Sequence, residues 1–452
     1  MRGKQNNFGR IIPVASPPRI AVWLDFPGDR KFNPWLDHDE NACLCLMKEK
    51  LVVGHLGAFD MENYGDLLYP VLFARMFKQR HHRAAVRRFS FLGSESLPDS
   101  GHDSEPLQGL FSLRRRPLHT LVVGGGDVLR TDWNLVASHY RFTNVPRKYQ
   151  TLRLKLRQLL LKHLNPRLDD AGIFRAVHLS YPAAGPFILD PGRVAKSIAY
   201  CSCGVPFTFG EEVKQRVAEA MNQAVFIYVR DHQSRETLVQ AGVTRKIHVA
   251  PDFIMALSDY FDPANERRKG RALMQRAGVD IQEQVLCVQS NPQSPETRAE
   301  LCGQLLAYQQ RTGCEVVLLP LGKCHGDSEY LQGLAEISGG EFKYLPCESI
   351  FDAIAVLAAC DIFIGTSMHG NITALSFGIP HLFGPIAVRK AEGFLDVVQL
   401  PSELKLQSWS ELDQKLDLVT GLGGNYFAAK AANAKQRVHQ VFDQLVQAIT
   451  NK

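Results

Sequence analysis

From Gln284 onward the sequence switches repeatedly between short β-branched apolar runs and longer stretches whose apolar residues recur at helical spacing. Strands are expected at Val285–Val288, Glu315–Leu319, Lys343–Leu345 and Ile362–Ile364, with helices between them at about Pro295–Arg311, Ser328–Ile337 and Ser349–Ala359. Such alternation implies right-handed crossovers and a parallel sheet. The last unit, Asp361 to Pro380, has the clearest form. Ile362 to Ile364 make an apolar strand, Gly365 to Ser367 break it, Ile372, Leu375 and Phe377 return at helical spacing, and Gly378 and Pro380 stop the helix. This puts His369 beyond the carboxyl end of a strand and at the start of a helix, where parallel sheets collect ligands and free amides favour an anion. A single histidine in that position is more often a polar residue ending a core strand, so its surroundings must decide.

The first half of the chain repeats the theme. A strand is expected at Leu51–Gly57, and a loop from Ala58 to Gly65 leads to Asp66, read as a helix N-cap ahead of Leu67, Leu68, Val71, Leu72 and Met76. Leu121–Val123 runs into Gly124, Gly125 and Gly126, either a tight turn or a nest of amides for phosphate. Val225–Val229 reads as a buried strand that delivers Arg230 and Asp231 at its carboxyl end, followed by a helix at His232–Gln240. Lys246–Ala250 gives a short strand before Pro251 and Asp252. Ser90–Arg116 reads as a surface loop, Ala176–Tyr181 as a strand, Ala195–Ser202 as a short helix, Glu211–Asn222 as a surface helix and Asp259–Arg276 as a polar connector.

The expected fold class is therefore α/β, with two Rossmann-like domains whose parallel sheets face a cleft. Residues 1–49 form an N-terminal extension carrying one short strand at Ala21–Leu24. The first domain covers 50–260 and the second 261–405, and helices in 406–452 pack back on the body.

Composition narrows the function classes. Hydrophobic residues at 45% and charged residues at 22% are ordinary globular values over 452 residues. A net charge of +6 suits anionic ligands without arguing for nucleic acid, and no nucleic-acid motif is present. Ten cysteines do not make a disulfide framework in a chain this long, and the pairs Cys43/Cys45 and Cys201/Cys203 lack zinc spacing. No segment is long and apolar enough for a signal h-region or a membrane span, so a cytoplasmic protein is expected. Leu152–Leu164 interleaves basic residues with leucines; it packs on the protein, docks on a partner or touches the inner face of a membrane peripherally.

Several motifs together resemble the polysaccharide pyruvyl transferase family. They are Asn63-Tyr-Gly-Asp66, Val123-Gly-Gly-Gly126, Val229-Arg-Asp231 with Ser234 and Leu238, Pro251-Asp252, Leu318-Leu-Pro320 followed by His325 and Asp327, Cys360-Asp361 through His369 and Ala374, Gly378-Ile-Pro380, and Lys390 with Gly393-Phe394. The resemblance covers about residues 51–400 and implies a GT-B-like arrangement. It also implies transfer of an enolpyruvyl-derived group from phosphoenolpyruvate to two hydroxyls of a sugar, giving a pyruvate ketal on a cell-surface polysaccharide or its lipid-linked precursor. Phosphoenolpyruvate is then the donor substrate, with no separate cofactor and no metal.

That chemistry asks for cations on phosphate and carboxylate and for a positioned acid or base. The candidate catalytic residues are His369 and Arg230, the latter as a bidentate clamp or as an ion pair with Asp231. Candidate substrate-binding residues are Asn63, Asp66, Gly124, Gly125, Gly126, Lys323, His325, Ser367 and Lys390. One position departs from the family pattern: Arg-Leu-His before the histidine is here Ser367-Met-His369, a neutral hydroxyl in place of a charge. Lys323, Arg389 or Lys390 would have to compensate, or the donor has changed. A GT-B glycosyltransferase using a nucleotide sugar and a catalytically lapsed glycan-binding protein are the alternatives.

Overall fold

The computed structural model describes residues 51–91, 93, 101–111, 118–131, 185–189, 192, 194–385 and 389–451. The expected extension at 1–49 with its strand at Ala21–Leu24 and the cysteines Cys43 and Cys45, the strand at Ala176–Tyr181 and the basic stretch Leu152–Leu164 lie outside the described residues.

The described residues form two parallel sheets. The first contains β1 (Val52–Leu56), β2 (Ala85–Ser90), β3 (Glu105–Pro106), β4 (Leu118–Gly126), β5 (Ala195–Cys203), β6 (Phe226–Val229) and β7 (His248–Val249), in the order β3-β2-β1-β4-β5-β6-β7. The second contains β8 (Val285–Gln289), β9 (Glu315–Leu318), β10 (Lys343–Tyr344), β11 (Ile362–Gly365) and β12 (His381–Phe383), in the order β10-β9-β8-β11-β12. Strand order reverses between β1 and β4 and again between β8 and β11, and crevices open at such switch points beyond the carboxyl ends.

In the second sheet the elements follow the periodicity of the sequence. The helices Pro295–Thr312, Asp327–Ile337 and Ile350–Ala359 alternate with the strands, the last opened by a capping box between Ser349 and Asp352. Its central unit is β11, a turn, and the helix Met368–Ser376. Asn371 locks that turn by donating through Nδ2 to the carbonyls of Gly365 at 2.8 Å and Ser367 at 2.9 Å.

Four local readings are corrected. Ala195–Cys203 is not a helix but the strand between β4 and β6; all its residues except Lys196 are buried, and burial on both faces outweighs the helix propensity of its alanines. The stretch after Ser90 is not all loop, since β3 and the helix Leu107–Phe111 lie in it and bury Leu107 and Leu110. The polar segment Asp259–Arg276 is mostly helical: Pro263–Arg276 begins at a proline, is capped by Asp262 and packs along Ile350–Ala359. Asp66 is not an N-cap, because the helix starts earlier and runs Tyr64–Arg80 with Asn63 at the cap position.

Helix Tyr64–Arg80 buries residues on every side, which is what its near-continuous apolar sequence requires. It lies between the two sheets. One hydrophobic cluster runs from Val53 and Phe73 through Phe253 and Leu286 to Phe363 and Phe442, so both sheets share a core; a second cluster fills the other face of the first sheet. The final helix, Leu412–Thr450, breaks its helical geometry at Gly423 and spans both halves. Near its start Asp413 and Asp417 meet Arg311, and near its end Asp443 meets Arg80 and Phe442 packs 5.5 Å from Phe73. The eight described cysteines are all free. Among the described residues no helix is long and apolar enough to cross a membrane.

Candidate active site

The motif Asn63-Tyr-Gly-Asp66 gives each of its residues a separate task. Asn63 donates through Nδ2 to Asp66 Oδ2 at 2.8 Å and so fixes the carboxylate. Tyr64 shares a hydrogen bond with Thr373 at 3.0 Å, which docks this helix on Met368–Ser376. Gly65 lies under the imidazole of His369, where a Cβ would overlap the ring. Backbone pairing reinforces the junction, because Asn63 bridges Gly322 and Tyr64 N donates to Leu321 O at 2.9 Å.

Behind this junction sits a buried relay. Tyr69 donates to Asp252 Oδ2 at 2.6 Å, and its oxygen lies 2.8 Å from His369 Nε2. Since the phenol has one proton and gives it to Asp252, the oxygen accepts from His369 Nε2–H. His369 is 8% exposed, and burial together with Arg230 and Lys390 holds its pKa well below the usual value, so the ring is neutral. Burial also pushes the Tyr69 phenol well above its ordinary range, so its proton stays.

Arg230 is 4% exposed and sits among three carboxylates. It donates to Asp127, and Asp231 and Asp252 each lie 3.9 Å away. Their combined field outweighs the cost of burying the guanidinium and keeps it charged. Asp231 has a second task, accepting from Ser234 N at 2.6 Å to cap helix His232–Gln240. The sequence-based ion pair with Asp231 is thus present but longer than the pair with Asp127.

The three glycines end β4 beside this cluster. Gly125 has φ +95°, and a Cβ there would run into the Tyr69 ring, so glycine is required on two counts. Gly126 faces Asp66, whose Oδ1 would be 3.4 Å from a Cβ placed there. Asp66 is half-buried, and loss of water, with Asp127 pushing the same way, lifts its carboxyl from 3.8 to about 7; the Asn63 amide, Lys390 and Arg230 oppose this. Lys390 opens the helix Lys390–Val397. Burial lowers its ammonium, partly offset by Asp127 and Asp66, while Arg230 and Arg130 add to the lowering.

The structure therefore brings together Asn63, Asp66, Gly124, Gly125, Gly126, Arg230, His369 and Lys390. It places Ser367 next to them in a different task, as the N-cap whose hydroxyl accepts from Gly370 N at 3.2 Å and whose amide donates to Gln289 at 2.7 Å. Lys323 and His325 share an exposed turn after β9 that Asn63 bridges at Gly322; Lys323 donates to Cys347 O at 3.0 Å and lines a pocket of about 250 Å³ with Tyr64, Leu67 and Ile350.

Three members of the cluster were not identified as site residues from the sequence. Asp127 directly follows the glycines, Tyr69 is three residues after Asp66 and so on an adjoining helical face, and Asp252 belongs to a quoted motif without a role. Among the described residues no group of three or more His, Cys, Asp or Glu is placed to hold a metal ion. What the cluster offers is a carboxyl that burial lifts to about 7, a neutral imidazole oriented by Tyr69, an ammonium and a glycine turn.

The family model for polysaccharide pyruvyl transferase matches residues 63–383. No curated protein matches the sequence. Among solved structures, a glycosyltransferase from Rickettsia africae ESF-5 superposes with a TM-score of 0.52 at 12% identity, covering 89% of this chain and 100% of that one. Anabaena Alr3699/HepE in complex with UDP-glucose gives 0.52 at 13% identity over 89% of this chain and 100% of its own. At these identities the likeness is one of fold, and the two parallel sheets described above are GT-B-like.

Proposed function

The chain belongs to the polysaccharide pyruvyl transferase family, an enzyme family of polysaccharide modification, and from that premise we propose that it moves the three-carbon unit of phosphoenolpyruvate onto two hydroxyls of one sugar residue. The product is a cyclic pyruvate ketal and the leaving group is inorganic phosphate. The acceptor is a sugar of a cell-surface polysaccharide or of its lipid-linked precursor, and the latter would bring the protein to a membrane surface.

The observation that carries this reading is the meeting of Lys390, Asp66, the glycine turn and His369 at the carboxyl ends of both sheets. A donor with phosphate and carboxylate groups needs cationic and amide contacts, and Lys390 with the first amides of helix Met368–Ser376 supplies them. Arg230 is committed to Asp127, so in this reading it acts from behind, fixing the carboxylates that border the donor. His369 contributes as a neutral hydrogen-bonding group oriented by Tyr69.

The test is melting of the purified protein with phosphoenolpyruvate and, separately, with UDP-glucose and other nucleotide sugars, followed by incubation of phosphoenolpyruvate with methyl hexopyranosides. Stabilisation by phosphoenolpyruvate, with phosphate release and a ketal methyl signal in the sugar product, is the expected result, because a ligand that binds only the folded state raises its melting temperature. Stabilisation by a nucleotide sugar alone would replace pyruvyl transfer with glycosyl transfer, and no response to any donor would favour a lapsed binding protein.

A further inference from the structure

The proposed transfer needs a group that can both give and take a proton. The methylene carbon of the enolpyruvyl unit must gain one, and each sugar hydroxyl that attacks must lose one. The cluster contains several polar side chains, but most are committed. Arg230 is enclosed by carboxylates; Tyr69 gives its proton to Asp252; His369 has Nε2 tied to Tyr69 and a ring kept neutral. Asp127 holds Arg230.

Asp66 differs from all of these. Its position is fixed by one hydrogen bond to Oδ2 from Asn63, and Oδ1 faces Gly126, where the backbone puts no side chain against it. Asp66, in the first turn of its helix, lies within electrostatic reach of Lys390 and Asp127. The charged and titratable groups that face it are Asp127 after β4, Lys390 and Arg230 from the two neighbouring elements, Tyr69 on its own helix and Cys324 from the turn after β9.

We propose that Asp66 is the proton carrier of the transfer, an inference that rests on the pyruvyl-transfer reading. As the carboxylic acid it gives its proton to the methylene carbon of phosphoenolpyruvate. The carbon–carbon π pair forms the new C–H bond, and the adjacent carbon becomes oxocarbenium-like. The first sugar hydroxyl forms a C–O bond to that carbon and returns its proton to the Asp66 carboxylate. The phosphate then leaves with the C–O bonding pair, the second hydroxyl closes the ketal, and its proton departs with the phosphate. Two hydroxyl protons enter, one ending in the methyl group by way of Asp66 and the other on phosphate, so the acid is regenerated. A carboxyl raised to about 7 exists in both forms at neutral pH, which suits such a cycle.

The experiment follows phosphoenolpyruvate turnover in deuterium oxide with methyl hexopyranosides, or with water as the fallback acceptor, reading phosphate release and deuterium in the product methyl group. Asp66→Asn keeps the shape and the bond from Asn63 but cannot carry a proton. It is expected to bind phosphoenolpyruvate by calorimetry as the wild type does, while methyl deuteration and phosphate release fall about 10²- to 10⁴-fold; Asp66→Glu restores part of the loss. Wild-type turnover declines as pH rises through about 7, where the acid form is lost. Since the Asn63 amide favours the carboxylate, Asn63→Ala moves that decline to higher pH, a displacement that a purely structural Asp66 would not produce.

An Asp66→Asn rate within about threefold of wild type overturns the proposal. Should that variant fail to fold, an unmoved pH profile in Asn63→Ala overturns it instead. A wild-type protein that neither binds nor consumes phosphoenolpyruvate removes the pyruvyl-transfer reading itself, and the proton-carrier role falls with it.

Discussion

Replacing Arg230 by methionine tests whether this guanidinium is mainly an internal counter-ion. The side chain is 4% exposed, Asp252 is 1% and Asp231 5% exposed, and only Asp127, at 28%, reaches toward water. Removing one partner of such a buried arrangement leaves charge uncompensated, at a cost of about 3–5 kcal/mol. For a cooperative unit of this size that corresponds to a fall in melting temperature of about 4–6 °C.

The deficit depends on pH. Burial already raises the Asp252 carboxyl and Arg230 lowers it, so loss of the arginine raises it further. A carboxyl whose folded pKa exceeds its unfolded value contributes stability at low pH and loses it as pH rises through the folded pKa. The difference between Arg230→Met and wild type is therefore larger at alkaline than at acidic pH, and a second change, Asp127→Asn, recovers part of it at pH 8. Fluorescence-monitored melting across that range is sufficient. A variant that melts with the wild type at pH 8 would refute the counter-ion argument and return Arg230 to the role of a free anion clamp. The same measurement guards the functional experiments, because an Arg230 variant that stops responding to phosphoenolpyruvate has lost a clamp only if it is still folded.

Gly65→Ala gains about 1 kcal/mol of helix propensity, yet its methyl overlaps the His369 ring, so a net loss of about 1–3 kcal/mol and displacement of the imidazole are expected by melting and by histidine NMR signals. Gly303→Ala, in the open face of helix Pro295–Thr312 with nothing near it, is the control and should stabilise by about 1 kcal/mol. Tyr69→Phe strands Asp252 and His369 Nε2 without their shared partner and should cost about 1–3 kcal/mol by chemical denaturation, with the melting profile otherwise cooperative. Asp66→Asn should melt above wild type at pH 8, where the wild-type carboxylate is ionised against its environment, and the gap should close below about 3.8, where the carboxyl is protonated whether folded or not.

The second sheet was readable because its signals are local. Ser367 and Gly378 bracket the helix after β11 within the chain itself, and the capping box at Ser349 announces the next one upstream. Where a decision depends on a distant neighbour, the sequence is silent. Asn63 and Asp66 are both good caps, and it is docking of Tyr64 on Thr373 and pairing with Leu321 that start the helix at Tyr64. β2 was missed because Arg87 and Arg88 interrupt its apolar pattern; Arg87 is accommodated by Glu105 on the neighbouring strand. In the site, the residues at strand ends could be identified one by one, but the relay Asp252, Tyr69, His369 joins positions 183 and 300 residues from Tyr69, and no periodicity reports such a meeting. The task of Ser367 was hidden for the opposite reason, since a hydroxyl at a family anion position looks like a lost contact until its bond to Gly370 is visible.

The helix Tyr64–Arg80 and the long helix Leu412–Thr450 give the two sheets a common interior. Enzymes whose halves are separate modules can be cut at the linker and recombined, donor half with acceptor half, to make new specificities. This chain resists that treatment. A cut near residue 260 would leave the first half with Phe73 and Phe253 bare where Phe442 had covered them, and the second half with a long terminal helix facing water along its apolar stripe. Neither piece would persist as a soluble unit, and changes of specificity must come from substitutions in the loops that meet at the cleft.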